Sequence, residues 1–300
     1  MAVEVSSVPR WGRRGEIRMR QLRFGDVTLV ALTDAVPPPA DWLYAFPAHV
    51  AEFDAPARLR WAENGLFETR FCVHALVQDG AVTLVDAGLG PGPSSYFGGL
   101  RGRLDAELAA AGLDATMVTR VLFTHFHLDH VGWASREGQA CFPNASYHAP
   151  EAELAHWRSW GERSALPHHV EAFDRAIAPL LAGGMVTGLQ PGCPVPGAPA
   201  LAYRAVPGHT AGHCGVVLDD GVRRLAIAGD AWHSPAQIER PDWGHRADAD
   251  PAAAAASRQA LACWAHEIGA VIAAGHFPER HGFGTVEAAP SGGFRWEPLG

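Results

Sequence analysis

The chain has 300 residues, 48% of them hydrophobic and 19% charged, with a formal net charge of −8. A soluble chain of this length buries roughly three quarters of its extended surface, so its core needs no disulfide or metal staple. The acidic balance speaks against a nucleic-acid partner, and no run approaches the ~18 apolar residues needed to span a bilayer.

Arg10, Arg13, Arg14, Arg18 and Arg20 crowd the N-terminus, with no apolar stretch close behind. This predicts a flexible basic arm over residues 1–19 and not an export signal, followed by a single domain over 20–300. Residues 21–35 and 71–85 read as strand pairs, broken at Phe24-Gly25-Asp26 and Gln78-Asp79-Gly80. A short helix is predicted over 100–111, stopped by Gly112. Residues 120–124 form a buried strand that delivers His125. Pro150 opens one helix and Pro167 another, running to Leu181. A Gly/Pro-rich connector follows over 183–199, then a strand over 200–206 ending at Pro207-Gly208-His209. Residues 214–218 and 223–228 make a hairpin around Asp219-Asp220-Gly221, ending at Gly229-Asp230. Asp250-Pro251 caps and starts a helix to Ile268, stopped by Gly269. A last strand, 270–274, delivers His276.

Strand after strand therefore ends in a short loop carrying Asp86, His125, His209, Asp230 or His276. Ligands at neighbouring strand ends converge along one sheet edge, and both halves of the chain do this. Densest of all is His125-Phe126-His127-Leu128-Asp129-His130, with four metal-binding side chains in six residues. Imidazole and carboxylate suit zinc and similar borderline ions. Alternate side chains of an extended loop point the same way, so His125 and His127 grip one ion, while Asp129 and His130 face a second. A carboxylate bridges such a pair, and Asp230 is the candidate. Paired metals lower the pKa of a shared water towards about 7, which supplies a nucleophile without serine or cysteine. Cys72, Cys141, Cys193, Cys214 and Cys263 lack CxxC spacing, which reads as free thiols in a reducing compartment, the cytoplasm.

The series His125-x-His127-x-Asp129-His130, Pro207-Gly208-His209-Thr210, Gly229-Asp230 and Gly275-His276, with Val85-Asp86-Ala87-Gly88 upstream, resembles the signature of the metallo-β-lactamase superfamily over about residues 20–280. The resemblance implies an α/β fold, a four-layer αββα sandwich. It implies first-site ligands His125, His127 and His209, second-site ligands Asp129, His130 and His276, and Asp230 bridging both. Asp86 would stand behind the ligands and orient them, as would His213, for which a satisfied core histidine is an equal reading. The cofactors implied are two divalent ions, zinc first, with manganese, iron or cobalt as alternatives.

Within the family the sequence looks most like the branch of acyl-homoserine lactonases and methyl-parathion-type hydrolases. True β-lactamases of this fold do not use the aspartate bridge, and flavodiiron reductases place a glutamate where His127 stands. The expected reaction is attack of a metal-bridging hydroxide on a lactone or related carboxylic ester, with Asp129 and Asp230 catalytic and Asp129 passing a proton to the leaving group. Phosphotriester or thioester hydrolysis on the same site is the alternative, and an iron-dependent sulfur dioxygenase the rival from another class. Trp157, Trp160, Phe173 and Trp232 suggest an aromatic wall for an apolar small-molecule substrate, with His233 touching substrate or Asp230. No nucleic-acid or membrane partner is expected, and a homodimer is compatible.

Overall fold

The computed structural model describes residues 4–8, 19–48, 60–61, 64–159 and 167–299, so Arg10, Arg13, Arg14, Arg18 and Trp160 lie outside the described residues. The chain divides into two compact units, residues 1–35 with 71–189 and residues 36–70 with 190–300.

In the first unit, alternating apolar residues around glycine turns give β1 (Glu4–Val8), β2 (Met19–Phe24), β3 (Val27–Ala35), β4 (Phe71–Gln78) and β5 (Ala81–Val85). Gly25 and Gly80 take the positive φ that these hairpin turns need. Then come β6 (Val118–Leu122), the two-residue pair β7 (Ser135–Arg136) and β8 (Gln139–Ala140), β9 (Ser146–Pro150) and β10 (Val186–Leu189). They form one eight-stranded sheet in the order β1-β2-β3-β4-β5-β6-β9-β10, with β7 and β8 apart. β5, β6, β9 and β10 run parallel, because helices fill the connections between them. Parallel strands deliver their following loops to one edge, which places Asp86 and His125 side by side. Val73, Val82, Leu84, Val121, Phe123 and Tyr147 are among the core of this unit.

In the second unit, β11 (Pro194–Val195), β12 (Ala198–Ala205), β13 (Cys214–Asp219), β14 (Arg224–Ile227), β15 (Val271–Ala273), β16 (Phe283–Ala288) and β17 (Phe294–Pro298) lie in that order in a seven-stranded sheet. All neighbours are antiparallel except β14 and β15, which are joined through helix Pro251–Glu267. Asp250 caps that helix by accepting from the Ala253 amide at 3.0 Å. The unit has its own core, which includes Trp42, Phe46, Phe67, Leu261, Ile272 and Trp296. The chain is thus α/β with two large sheets, in keeping with the sandwich class expected.

Several elements differ from the sequence reading. Glu4–Val8 is not an arm but a strand paired with β2. The 183–199 connector contains β10 and β11, whose weakly apolar residues become strands only through partners, β10 against β9. Pro150 ends β9, and the helix begins at Glu151. The helix expected to reach Leu181 breaks at Ile177, just before Pro179. The hairpin β16–β17 lies beyond the elements predicted from the sequence. No described helix is long and apolar enough to cross a membrane.

The helix predicted over 100–111 spans only Leu104–Ala110, because its start is set from far away. Asp34, at the end of β3 and fully buried, accepts from the Arg103 and Leu104 amides at 2.7 Å each. Its carboxylate also accepts from the Leu89 amide at 2.7 Å and from Trp133 Nε1 at 2.9 Å. One carboxylate therefore pins a helix start and two loops. Asp34→Ala would leave the Leu89 and Leu104 amides and Trp133 Nε1 without this acceptor and should cost more than about 3 kcal/mol of stability. Urea unfolding of the variant against Asp34→Asn, which keeps an acceptor oxygen, measures this.

Candidate metal centre

In the first unit, His125 follows β6 and the next residues turn into the short helix Leu128–Val131. The His125 ring lies 4.6 Å from that of His127 and 4.1 Å from that of His130, centroid to centroid. Behind them stands Asp86, whose φ of +67° turns its side chain back across β6. Asp86 accepts from the Thr124 amide at 2.7 Å, from Thr124 Oγ1 at 2.9 Å, and from His130 Nδ1 at 2.8 Å. Thr124 Oγ1 also lies 3.0 Å from His125 Nδ1. A hydroxyl has one hydrogen, and the carboxylate takes it, so Oγ1 accepts from His125 Nδ1–H. Asp86 thereby sets the tautomer of two imidazoles, one directly and one through Thr124, and leaves each Nε2 as the lone-pair nitrogen. Asp129 is only partly buried, with Oδ2 3.7 Å from His130 Nε2.

The loop is held by close backbone contact. The Gly132 amide donates to Gly88 O at 2.6 Å, and the Ala87 amide to His130 O at 2.7 Å. A Cβ on Gly132 would meet Leu89 O at 2.0 Å, so only glycine fits there.

In the second unit, Asp230 lies just past β14, buried, with imidazoles around its carboxylate. His209 Nε2 is 3.1 Å and His233 Nε2 3.2 Å from Oδ2, and His276 Nε2 is 3.0 Å from Oδ1. Asp230, His233 and His276 offer ligand atoms within 4.8 Å of one another. His276 Nδ1 donates to Arg70 O at 2.9 Å, and His209 Nδ1 lies 3.1 Å from Asp248 Oδ1. Asp248 is itself tied to Arg258 Nη1 at 3.1 Å and accepts from the His245 amide at 2.9 Å. His213 donates from Nδ1 to Val206 O at 2.8 Å and accepts at Nε2 from the Asp230 amide at 2.9 Å. It is a satisfied core histidine and a support for Asp230 at once.

These contacts allow a proton count. His209 and His276 have each committed Nδ1–H to a protein acceptor, so a neutral ring would face the Asp230 carboxylate with a lone pair. Two acceptors at about 3 Å repel unless a cation or an added proton lies between them. The donor set therefore fits a metal ion. Without one, a proton substitutes: burial lowers the His209 pKa, but the charges and hydrogen bonds of Asp230 and Asp248 outweigh it and lift the value to about 9. Burial dominates at His233, which falls to about 3 despite Asp230. His245, stacked on His233 at 3.6 Å, is also pushed well down, by burial and then by His233.

The proposed substrate contacts divide. Trp157 and Phe173 are buried in the core of the first unit, stacked at 5.1 Å, and Trp232 is fully buried in the second. They brace loops from behind and offer almost no surface. His233 does meet Asp230. Sequence reading missed Thr124, Glu153, His169, His245, Asp248 and Arg258. Asp248 stands 39 residues from the imidazole it holds, so no local spacing signals it.

Residues 72–276 match the model of the metallo-beta-lactamase superfamily. The chain belongs to this family. It is, accordingly, a metal-dependent hydrolase. Comparison with curated proteins finds no significant match. Among solved structures, this metallo-β-lactamase superfamily member is similar to the hydrolase AbOPH of the beta lactamase superfamily, at 26% identity over 93% of this chain and 97% of that one, TM-score 0.79. It also resembles AidC, a dizinc quorum-quenching lactonase in complex with a product, at 23% identity over 94% and 97%, TM-score 0.79. An N-acyl homoserine lactone hydrolase with N-hexanoyl-L-homoserine at its catalytic metal centre aligns at 15% identity over 83% and 92%, TM-score 0.56.

The two perturbed histidines give the metal-stripped protein a stability optimum. His209, raised to about 9, contributes stability that is present below its unfolded pKa of about 6.5 and lost as pH rises through about 9. His233, depressed to about 3, contributes stability that is present above about 6.5 and lost as pH falls below that. Denaturant unfolding with chelator from pH 5 to 9 should peak near 6.5. His209→Gln should flatten the alkaline limb and His233→Phe the acid limb.

Proposed function

We propose that the protein is a dinuclear metal hydrolase that opens a lactone or cleaves a related carboxylic ester. The observation that carries the metal reading is the proton count at Asp230, where two imidazoles with committed Nδ1 groups aim Nε2 at one carboxylate. The ligands in this reading are His125, His127 and His209 for one ion and Asp129, His130 and His276 for the other, with Asp230 shared. Imidazole with carboxylate favours zinc, with manganese, iron or cobalt as alternatives. Such ions, when bound, supply an electrophile for a carbonyl oxygen and acidify a water towards a pKa of about 7.

The chain's own residues orient this chemistry. Asp86 and Asp248 hold ligand rings in the tautomer with Nε2 inward. Asp230 is kept in place by His213 through its amide and by His233 Nε2 through Oδ2. Asp129, the least buried of the proposed ligands, would take up the proton of the attacking hydroxyl and hand it to the leaving alkoxide. His233 and the partly buried His245 stacked on it give neutral rings suited to an uncharged substrate. With Trp157, Phe173 and Trp232 in the cores, the ester reading rests on the carbonyl-seeking site and on the lactonases among the structural neighbours, not on an aromatic wall. A cytoplasmic enzyme with no nucleic-acid or membrane partner, monomeric or homodimeric, completes the proposal.

Elemental analysis should find about two ions per chain. Asp230→Asn should lower kcat by about 100-fold or more with the fold kept, since it removes the shared charge. Full activity with a single ion, or normal turnover with both ions in the variant, rejects this assignment.

Substrate class is decided by kcat/KM across a lactone series, aryl esters, phosphotriesters and thioesters. Each tenfold preference is worth about 1.4 kcal/mol of transition-state stabilisation. Lactones or esters are expected to lead. A phosphotriester or thioester that beats them all by more than tenfold removes the lactonase reading and leaves the hydrolase. Oxygen uptake with a persulfide, on a single bound iron, would point to the dioxygenase.

A further inference from the structure

The loop that carries the ligand histidines of the first unit has two anchors that come from helices. The Phe126 amide, in the peptide directly after His125, donates to Glu153 Oε1 at 3.1 Å. The Leu128 amide, in the peptide directly after His127, donates to His169 Nδ1 at 3.0 Å. Glu153 lies on helix Glu151–Arg158 with no exposed surface, and His169 on helix Pro167–Ala176, 5% exposed. Glu153 also accepts from Trp157 Nε1 at 2.7 Å, and Trp157 is wedged against Phe173. The His169 ring lies face to face with His127, centroids 3.8 Å apart and planes 18° from parallel.

We propose that Glu153 and His169 are positioning residues that set the metal geometry by fixing, in register, the peptide that follows each of two ligand histidines. A peptide plane held by a buried acceptor fixes ψ of the residue before it, and so the direction in which that imidazole leaves the backbone. Both anchors are acceptors, as amide hydrogens require. His169 must present the bare Nδ1, so its proton is on Nε2. The stack adds a second restraint on the plane of the His127 ring, which the backbone alone leaves free to turn about χ2. Trp157 and Phe173 then have a role at one remove: they hold the carboxylate that holds the loop. The inference rests on the reading of His125 and His127 as ligands.

The test uses the full chain, stripped of metal and reloaded with zinc or cobalt(II) alone. Two substitutions remove an acceptor, His169→Phe, which keeps a ring, and Glu153→Leu. Two keep one, His169→Asn and Glu153→Gln. Loss of the acceptor should weaken zinc binding by about 10–100-fold in chelator competition and shift the cobalt d–d bands, while the variants that keep an acceptor stay within about threefold of the parent. In turnover, the acceptor-less variants should lose kcat with KM little changed. Far-UV circular dichroism and melting of each metal-free variant identify any that fails to fold, and if Glu153→Leu does, the His169 pair decides. Parent-like affinity and spectrum in His169→Phe overturns the proposal, as does an equal loss in His169→Asn. His127→Ala separates the two readings. If it keeps the parent's metal content and affinity, the ligand assignment itself fails. If it loses an ion while His169→Phe does not, only the anchoring fails.

Discussion

Four imidazoles, His125, His130, His209 and His276, spend Nδ1 on the protein: on Thr124, Asp86, Asp248 and the Arg70 carbonyl respectively. A neutral imidazole has one N–H, so this choice leaves Nε2 of each as the nitrogen with a lone pair. Lone pairs brought together around a carboxylate, as at Asp230, repel until positive charge is supplied. The fit to a cation is therefore built into the hydrogen bonds behind these candidate ligands, and the imidazoles alone would not impose it.

Two of those four groups, Asp86 and Asp248, are buried carboxylates, as are Asp34 and Glu153, and burying a carboxylate is costly unless donors surround it. Asp34 has four N–H donors, Asp86 the Thr124 and His130 donors, and Glu153 an amide and an indole. Asp248 is held by His209, His245 and the buried Arg258, and although burial pulls its pKa up, these partners hold it below the ordinary aspartate value. Several of these donors, the Leu89, Leu104, Thr124, Phe126 and His245 amides, belong to loops or a helix start. The same bonds thus satisfy the backbone and aim the ligands. Close approach completes the arrangement. Gly132 lets the ligand loop lie on the loop after β5, and Gly208, at φ +127°, lets the loop carrying His209 touch the start of helix Pro251–Glu267, where a Cβ would meet the Ala254 amide at 2.1 Å.

Much of this was legible because it is local. Alternation around Gly25, Gly80 and Gly221 marked the hairpins, and Asp250-Pro251 marked a helix start with its cap. The run from His125 to His130 declared metal chemistry by composition alone, and Asp86, Asp230 and His276 stood at strand ends where a ligand is cheap to present. The misreadings have a common origin in pairing partners. β10 and β17 are strands because a neighbour hydrogen-bonds them, and helix Leu104–Ala110 starts where Asp34 caps it, 70 residues away. Trp157, Phe173 and Trp232 show the same limit for side chains. Only Trp232 stands close in sequence to a proposed ligand, Asp230, and which side each of the three faces depends on which core claims it.

The sequence by itself determined the kind of atoms available for the chemistry and their order along the chain, since donor type and strand-end placement follow from residue identity and short-range pattern. Only the tertiary structure decided how those atoms are oriented. Tautomer, ring plane and amide anchoring are set by Asp248, Glu153 and His169, which stand 27 to 41 residues from the loop groups they hold. A hydrogen bond depends on distance and angle in space, and those are not functions of sequence separation.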